Sequence, residues 1–383
     1  MHEQTISTPL QAWIRARIEA DGPVPFARFM EWALYHPEHG YYTKGPLIGP
    51  RGDFTTSPEA SPAFGQLLAR HVEDVDRLLG GPSPLRVVEH GPGLGTLARD
   101  LLDRVQRDSP ELYERIRYTL VDVSPALVAA QRERLLPAHE GAVEWLSAEE
   151  FPHGMEGAVI ANEVVDAFPV HVVENWEGSL VEHYVGVDGG GGLAVEYGPL
   201  SDPALALFLE EQGIVLAPGE RVEVNLAADA WLSDLAARLE RGVVLIIDYG
   251  DTAPTRYSTA RREGTLLGYF GGSVTDNLLA RPGEQDLTAL VDFTALARAA
   301  VRAGFAVVGL TRQAPFLLGL GLGTEITAEG ESAGLDEALG MRRGMHALID
   351  MDGLGRFHVL VLSKGLDVGA AEAGLAGLRF LSF

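Results

Sequence analysis

Apolar residues recur at three- and four-residue spacing over residues 9–20, 25–34 and 63–79, which predicts three amphipathic helices. Between the second and third, residues 35–57 carry no period and are rich in Tyr, Gly, Pro and Thr. An aperiodic stretch of that length inside a folded chain points to function. From residue 85 the pattern changes to short apolar blocks separated by helical stretches. Strands are expected at 85–88, 118–123, 142–146 and 157–163, with helices at 94–105 and 125–136. Such alternation predicts an α/β fold with a parallel, Rossmann-like sheet and right-handed crossovers.

The period then shortens to two. Residues 171–197 alternate around Trp176-Glu177-Gly178 and a glycine run at 189–192, so antiparallel β-hairpins inserted over about 171–225 are expected. Helices are expected at 203–212 and 227–239, and a buried strand at 242–249 ends in Asp248-Tyr249-Gly250. Residues 252–286 lack periodicity and read as a second long loop. A helix at 293–303, a strand at 306–311, helical residues 326–348 and a last strand at 356–363 complete the pattern. Residues 365–383, rich in Ala and Gly, read as a loosely packed tail. The expected organisation is a helical and loop extension over 1–80 contributing to the site, a sheet domain over 81–366 and a tail from 367.

The first expected strand runs into a glycine turn, LRVVEHGPGLGTLAR over 85–99. Glycine there lets the main chain turn sharply and lie against a ligand. Thr96 and the free N–H groups of the helix that follows would face that ligand. Dinucleotide sites favour G-x-G-x-x-G, with room for a pyrophosphate. Here Glu89 precedes Gly91, Gly93 and Gly95 in the form E-x-G-x-G-x-G. An acid beside a phosphate-free turn suits a cationic ligand, S-adenosylmethionine (SAM). At the end of the next strand Asp122, followed by Val123, stands where an acid holds the two ribose hydroxyls of a cofactor. Ligands of such sheets bind at the carboxyl ends of the strands, which adds Asn162 at the end of the fourth.

Composition narrows the choice of chemistry. The chain has 383 residues, 46% of them hydrophobic, enough for a large core. It contains no cysteine, which removes thiolate nucleophiles and Cys-ligated metals. His36 and His39 form H-x-x-H, but Pro37 and Gly40 break any helix that would aim both at one metal, so no metal is expected. The net charge of −24 argues against nucleic acid and suits a partner with a cationic segment. No apolar run approaches a membrane span, and no signal-peptide core is seen at the start. A homodimer is kept as a further expectation.

Several blocks together carry a resemblance: GDFTTSPEASPAFGQLL (52–68), VVEHGPGLGTLARDLL (87–102), NEVVDAFPVH (162–171), DYG at Asp248 and EQDLTALVDFT (284–294). Over residues 26–363 the chain resembles the MidA / mitochondrial complex I assembly family of SAM-dependent methyltransferases. The mitochondrial member of that family acts as a protein arginine methyltransferase on a complex I subunit. The resemblance implies a seven-stranded sheet whose last strand is antiparallel, and a role in the site for the 52–59 loop. Asp53, Thr55, Thr56 and Ser57 would then bind the methionine end of the cofactor. No Arg- and Ser-rich leader is seen, so a bacterial, cytoplasmic member is expected.

A guanidinium acceptor needs carboxylates to offset its charge and orient the attacking nitrogen. Glu163 and Asp166 follow the fourth strand. If a helical turn begins at Val164 they are three residues apart on one face. His171 is a second-line base. A small-molecule N- or O-methyltransferase, with Tyr41, Tyr42 and Phe54 as pocket walls, and a non-catalytic SAM-binding assembly factor are the competing readings.

Overall fold

The computed structural model describes residues 8–44, 56–147, 150–258, 261–328 and 335–380. They divide into two compact units.

The first unit holds the described parts of 48–164, 232–249 and 297–383. Its seven strands are β1 (Leu85–His90), β2 (Ile116–Val121), β3 (Val143–Leu146), β4 (Met155–Asn162), β5 (Leu239–Asp248), β6 (Ala306–Arg312) and β7 (His358–Lys364). They lie in the order β6-β7-β5-β4-β1-β2-β3. All pairs are parallel except the two made by β7, which runs antiparallel to both β5 and β6. The expected seven-stranded sheet is present, with its antiparallel last strand inserted between β5 and β6. The central strands are apolar on both faces: Val87, Val88, Val159, Ile160 and Val243 to Ile247 are fully buried. That is the composition demanded by a sheet with helices on both sides. Helix Ala63–Leu79 presents Phe64, Leu67 and Leu68 to the same core as Leu97 and Leu101 of helix Thr96–Asp108.

The C-terminal stretch is a correction to the sequence reading. Residues Val368–Gly374 form a helix, and Ala371, Leu375 and Leu378 are buried in the core of this unit. The backbone N–H of Ala376 donates to Asp74 Oδ2 at 2.8 Å.

The second unit holds the described residues up to 44 with 165–231 and 250–296. Its main sheet pairs strands Val24–Pro25, His171–Trp176, Ser179–Val187, Leu193–Gly198 and Arg221–Val224, all antiparallel, as the alternation over 171–225 predicts. Glu177 (φ 50°) and Gly178 (φ 91°) close the first hairpin in the doubly left-handed turn that matches strand twist. Helices Pro9–Asp21 and Phe26–Tyr35 pack on one apolar cluster with Val172 and Val185, and helix Pro203–Gln212 on another with Val173 and Val222. Residues 252–286, expected to be irregular, contain the strands Leu267–Phe270 and Ser273–Thr275 and end where a third, Asp286–Thr288, begins; the three form a small antiparallel sheet. Three- and four-residue strands are too short to leave a period in sequence.

Candidate functional site

The turn after β1 is built from left-handed glycines. Gly91, Gly93 and Gly95 have φ of 61°, 51° and 73°, a region costly for any residue with a Cβ. The Gly91 N–H donates to Val121 O at 3.0 Å, tying the turn to the end of β2, and the Gly95 N–H donates to Pro92 O at 2.8 Å. Gly95 then caps helix Thr96–Asp108, whose first-turn N–H groups lack carbonyl partners one turn earlier. A Cβ on Gly91 would stand 2.9 Å from Val164 Cγ2. The turn after β1 and the turn after β4 are therefore in contact.

Asp122 follows β2 and accepts from the Ser124 N–H at 2.8 Å and from Gln131 Nε2 at 2.7 Å. The cap of helix Pro125–His139 is Ser124. Burial raises the Asp122 carboxyl above its ordinary value, against the pull of these bonds. Val123 beside it is 66% exposed, an apolar side chain turned to solvent next to a carboxylate. Gln131 is fully buried and was not singled out in sequence: its Nε2 also donates to Gly93 O at 2.8 Å, and its Oε1 accepts from Trp145 Nε1 at 3.0 Å. A polar residue in mid-helix gives no sequence sign of such a role.

Glu89 lies in β1, 3% exposed, and its Oε2 accepts from the Tyr118 hydroxyl at 2.7 Å. Burial pushes its carboxyl up to about 8, the Tyr118 bond opposes this, and the Asp122 charge adds to it. A cation near Glu89 would be needed to ionise it at neutral pH.

The Thr96 hydroxyl donates to Glu59 Oε1 and accepts from Arg134. It fastens the short helix Ser57–Ala60 to the glycine turn. Of the 52–59 loop, Asp53 and Thr55 lie outside the described residues. Thr56 precedes the short helix, and its carbonyl accepts from the N–H groups of Glu59 and Ala60. Ser57 is fully buried, with its hydroxyl on Gln313 Oε1 at 3.0 Å and its N–H on Glu163 Oε1 at 3.3 Å.

Glu163 is one of two described non-glycine residues with positive φ, at 54°. Such a conformation costs on the order of 1–3 kcal/mol and persists only where its surroundings over-determine it. Here the Glu163 N–H donates to Ile247 O at 2.8 Å and the Val164 N–H to Asp248 Oδ2 at 3.2 Å. The Glu163 carboxylate accepts from Ser57 N–H and, at 3.2 Å, from Asn162 Nδ2. That bond orients the Asn162 amide and leaves its Oδ1 a buried acceptor with no protein donor. The helical face expected for Glu163 and Asp166 does not form. The 3-10 turn covers Val165–Ala167, and Glu163 stands outside it in the left-handed region.

Asp166 belongs to the second unit, where it is 6% exposed and its carbonyl accepts from the Ala289 N–H at 3.2 Å. His171 opens a strand in that unit, and its Nδ1 lies 2.7 Å from Oε1 of the fully buried Glu182. The same carboxylate accepts from Ser201 N–H and Oγ. The pair spans the hairpin between the two strands and engages the His171 Nδ1.

The residues around the β1 turn fit SAM on three observations: bare left-handed peptide where a Cβ would clash, a carboxylate beside an exposed apolar side chain, and an orphaned acceptor on Asn162. Among the described residues no helix is long and apolar enough to cross a membrane.

A family model described as "Putative S-adenosyl-L-methionine-dependent methyltransferase" matches residues 67–311. Protein arginine methyltransferase NDUFAF7, mitochondrial, from Mus musculus is 30% identical, over 93% of this chain and 84% of its own. The Drosophila melanogaster homolog is 32% identical over 73% of this chain and 67% of its own. Among solved structures, a Burkholderia thailandensis protein bound to S-adenosyl-homocysteine aligns with a TM-score of 0.87 and 34% identity, covering 97% of this chain and 94% of that one. A second structure from Burkholderia thailandensis, of an uncharacterised protein, aligns at TM-score 0.84 and 33% identity.

Proposed function

Since the chain belongs to the MidA / NDUFAF7 family of SAM-dependent methyltransferases, we propose that it methylates an arginine of a protein substrate. The observation that carries this reading is Glu163, a carboxylate held in a strained, over-determined backbone at the carboxyl end of β4, next to Val164, whose side chain meets Gly91 of the cofactor turn. The bound sulfonium supplies an activated methyl group. Gly91, Gly93 and Gly95 would admit it to the main chain, Asp122 would accept from the ribose hydroxyls, Val123 would pack on the base, and Asn162 Oδ1 would accept from its polar end. Glu163 hydrogen-bonds the guanidinium and points one nitrogen along the line of displacement. As the new N–C bond formed, the S–C bond would break with the electron pair kept by sulfur, and the proton lost from the methylated nitrogen would pass to solvent water.

The net charge of −24 favours an arginine-bearing segment through its long-range field, so substrate capture weakens with salt. The relatives named above are mitochondrial; for this chain we retain a bacterial, cytoplasmic setting, which fractionation of the source cells would test.

The experiment is incubation with methyl-labelled SAM and a lysate lacking this protein, followed by identification of the labelled product. Label on a protein arginine, lost on Glu163→Gln while SAM affinity stays within about twofold, supports the reading. On loss of a transition-state electrostatic partner, turnover falls on the order of a hundredfold or more. Label confined to a small molecule, or full turnover by Glu163→Gln, overturns it.

A further inference from the structure

The Asp248-Tyr249-Gly250 block has no place in the scheme above, yet Asp248 is fully buried at the last position of β5. A fully buried aspartate at a strand end must be satisfied by its surroundings. Its Oδ1 accepts from the Tyr249 N–H at 2.8 Å and its Oδ2 from the Val164 N–H at 3.2 Å. The second bond reaches across to the turn after the neighbouring strand β4, at the residue next to Glu163. One position earlier, Ile247 O accepts from the Glu163 N–H. The end of β5 thus grips both backbone donors of a turn whose first residue has φ of 54°.

The opposite side of Glu163 is gripped independently. Gln313, fully buried after β6, donates from Nε2 to Leu348 O at 3.0 Å and accepts the Ser57 hydroxyl on Oε1. That arrangement fixes the Ser57 backbone, whose N–H meets the Glu163 carboxylate. Below, Val164 rests on Gly91, with no room for even one more carbon.

We infer that Asp248 is a positioning residue: it holds the Glu163–Val164 turn in its left-handed form and so sets the Glu163 carboxylate where the Ser57 N–H and Asn162 Nδ2 meet it. The inference rests on the proposed role of Glu163. Removing the Oδ2 acceptor leaves the Val164 N–H without its partner. The turn then relaxes toward ordinary backbone angles, and the carboxylate moves while the cofactor turn stays in place. A displacement of about 1 Å at a catalytic group is enough to cost on the order of a hundredfold in rate.

The test is a cycle of Asp248→Ala, Glu163→Gln and the double variant, assayed for transfer of label from SAM to the lysate acceptor. Calorimetry with S-adenosyl-homocysteine and crystal structures accompany it. For Asp248→Ala we expect kcat reduced on the order of a hundredfold, KM and S-adenosyl-homocysteine affinity within about threefold of wild type, and a Glu163 φ no longer positive. In the Glu163→Gln background the same change has little further effect, because the group it positions is already gone. Asp248→Asn keeps one acceptor oxygen and recovers most of kcat; if the alanine variant does not fold, Asp248→Leu, which keeps the bulk and removes both acceptors, takes its place in the cycle with the same expected and overturning results. Additive losses in the cycle, an unchanged Glu163 backbone in Asp248→Ala, or unchanged kcat in Asp248→Asn with no loss in Asp248→Ala overturn the inference. Full turnover by Glu163→Gln alone instead marks failure of the underlying reading.

Discussion

The Gln131 side-chain amide donates to the Gly93 carbonyl at 2.8 Å, so a residue on helix Pro125–His139 holds the middle of the glycine turn. The same nitrogen reaches Asp122 Oδ2 at 2.7 Å, joining the two places where cofactor contacts are proposed. Gln131→Leu keeps the bulk and removes both of these bonds, together with the one its Oε1 accepts from Trp145 Nε1. At about 0.5–1.5 kcal/mol for each net hydrogen bond, SAM affinity should fall on the order of tenfold or more. Calorimetry checks this, with circular dichroism to show that the fold is kept. Affinity equal to wild type would mean that the turn is rigid without Gln131.

Glu89 makes stability and cofactor binding pH-dependent. Its carboxyl has an ordinary value of 4.5 and is pushed up to about 8 by burial. Between these values the unfolded chain releases this proton and the folded one keeps it. The contribution of Glu89 is therefore fully present below pH 4.5 and is lost as pH rises through about 8. Tm measured from pH 5 to 8.5 should fall more steeply for the wild type than for Glu89→Gln. Binding of a cationic cofactor draws the carboxyl down, so wild-type binding near neutral pH should release a proton. Calorimetric enthalpy should then depend on the ionisation enthalpy of the buffer, and Glu89→Gln should remove that dependence.

Gly91 and Val164 form a mutual constraint that a double variant can read. Gly91→Ala places a methyl 2.9 Å from Val164 Cγ2 in backbone with φ of 61°. It should lower both SAM affinity and turnover. Val164→Ala in that background removes the clash and leaves the left-handed cost of roughly 1–2 kcal/mol, so part of the turnover, not all, should return. Losses that simply add would mean the two turns do not press on each other.

What was legible in the sequence follows from which interactions are local. The E-x-G-x-G-x-G turn and Asp122 were readable because a strand, a tight turn and a helix start impose their residues within a few positions. The hairpins over 171–225 were readable because one buried face imposes a period of two. Gln131, Glu59, Gln313 and Asp248 were not singled out for their roles, since each is defined by partners 30 or more residues away (Gly93, Thr96, Ser57 and Val164). The C-terminal stretch looked loose because Ala and Gly dominate it, although Leu375 and Leu378, three apart, already marked a buried face.

The order in which the ribosome delivers the sheet has its own consequence. β4 pairs along its whole length with β5, yet residues 163–238 are made in between. At roughly 5–20 residues per second, on the order of 4–15 seconds pass before the partner strand emerges. During that interval the nascent chain carries an unpaired edge through Ala158, Val159, Ile160 and Ala161, all of which are fully buried in the finished protein. Such an edge is a template for pairing with other chains. Overproduction should therefore partition into inclusion bodies at high synthesis rate, and slowing synthesis or supplying a holdase chaperone should return soluble material.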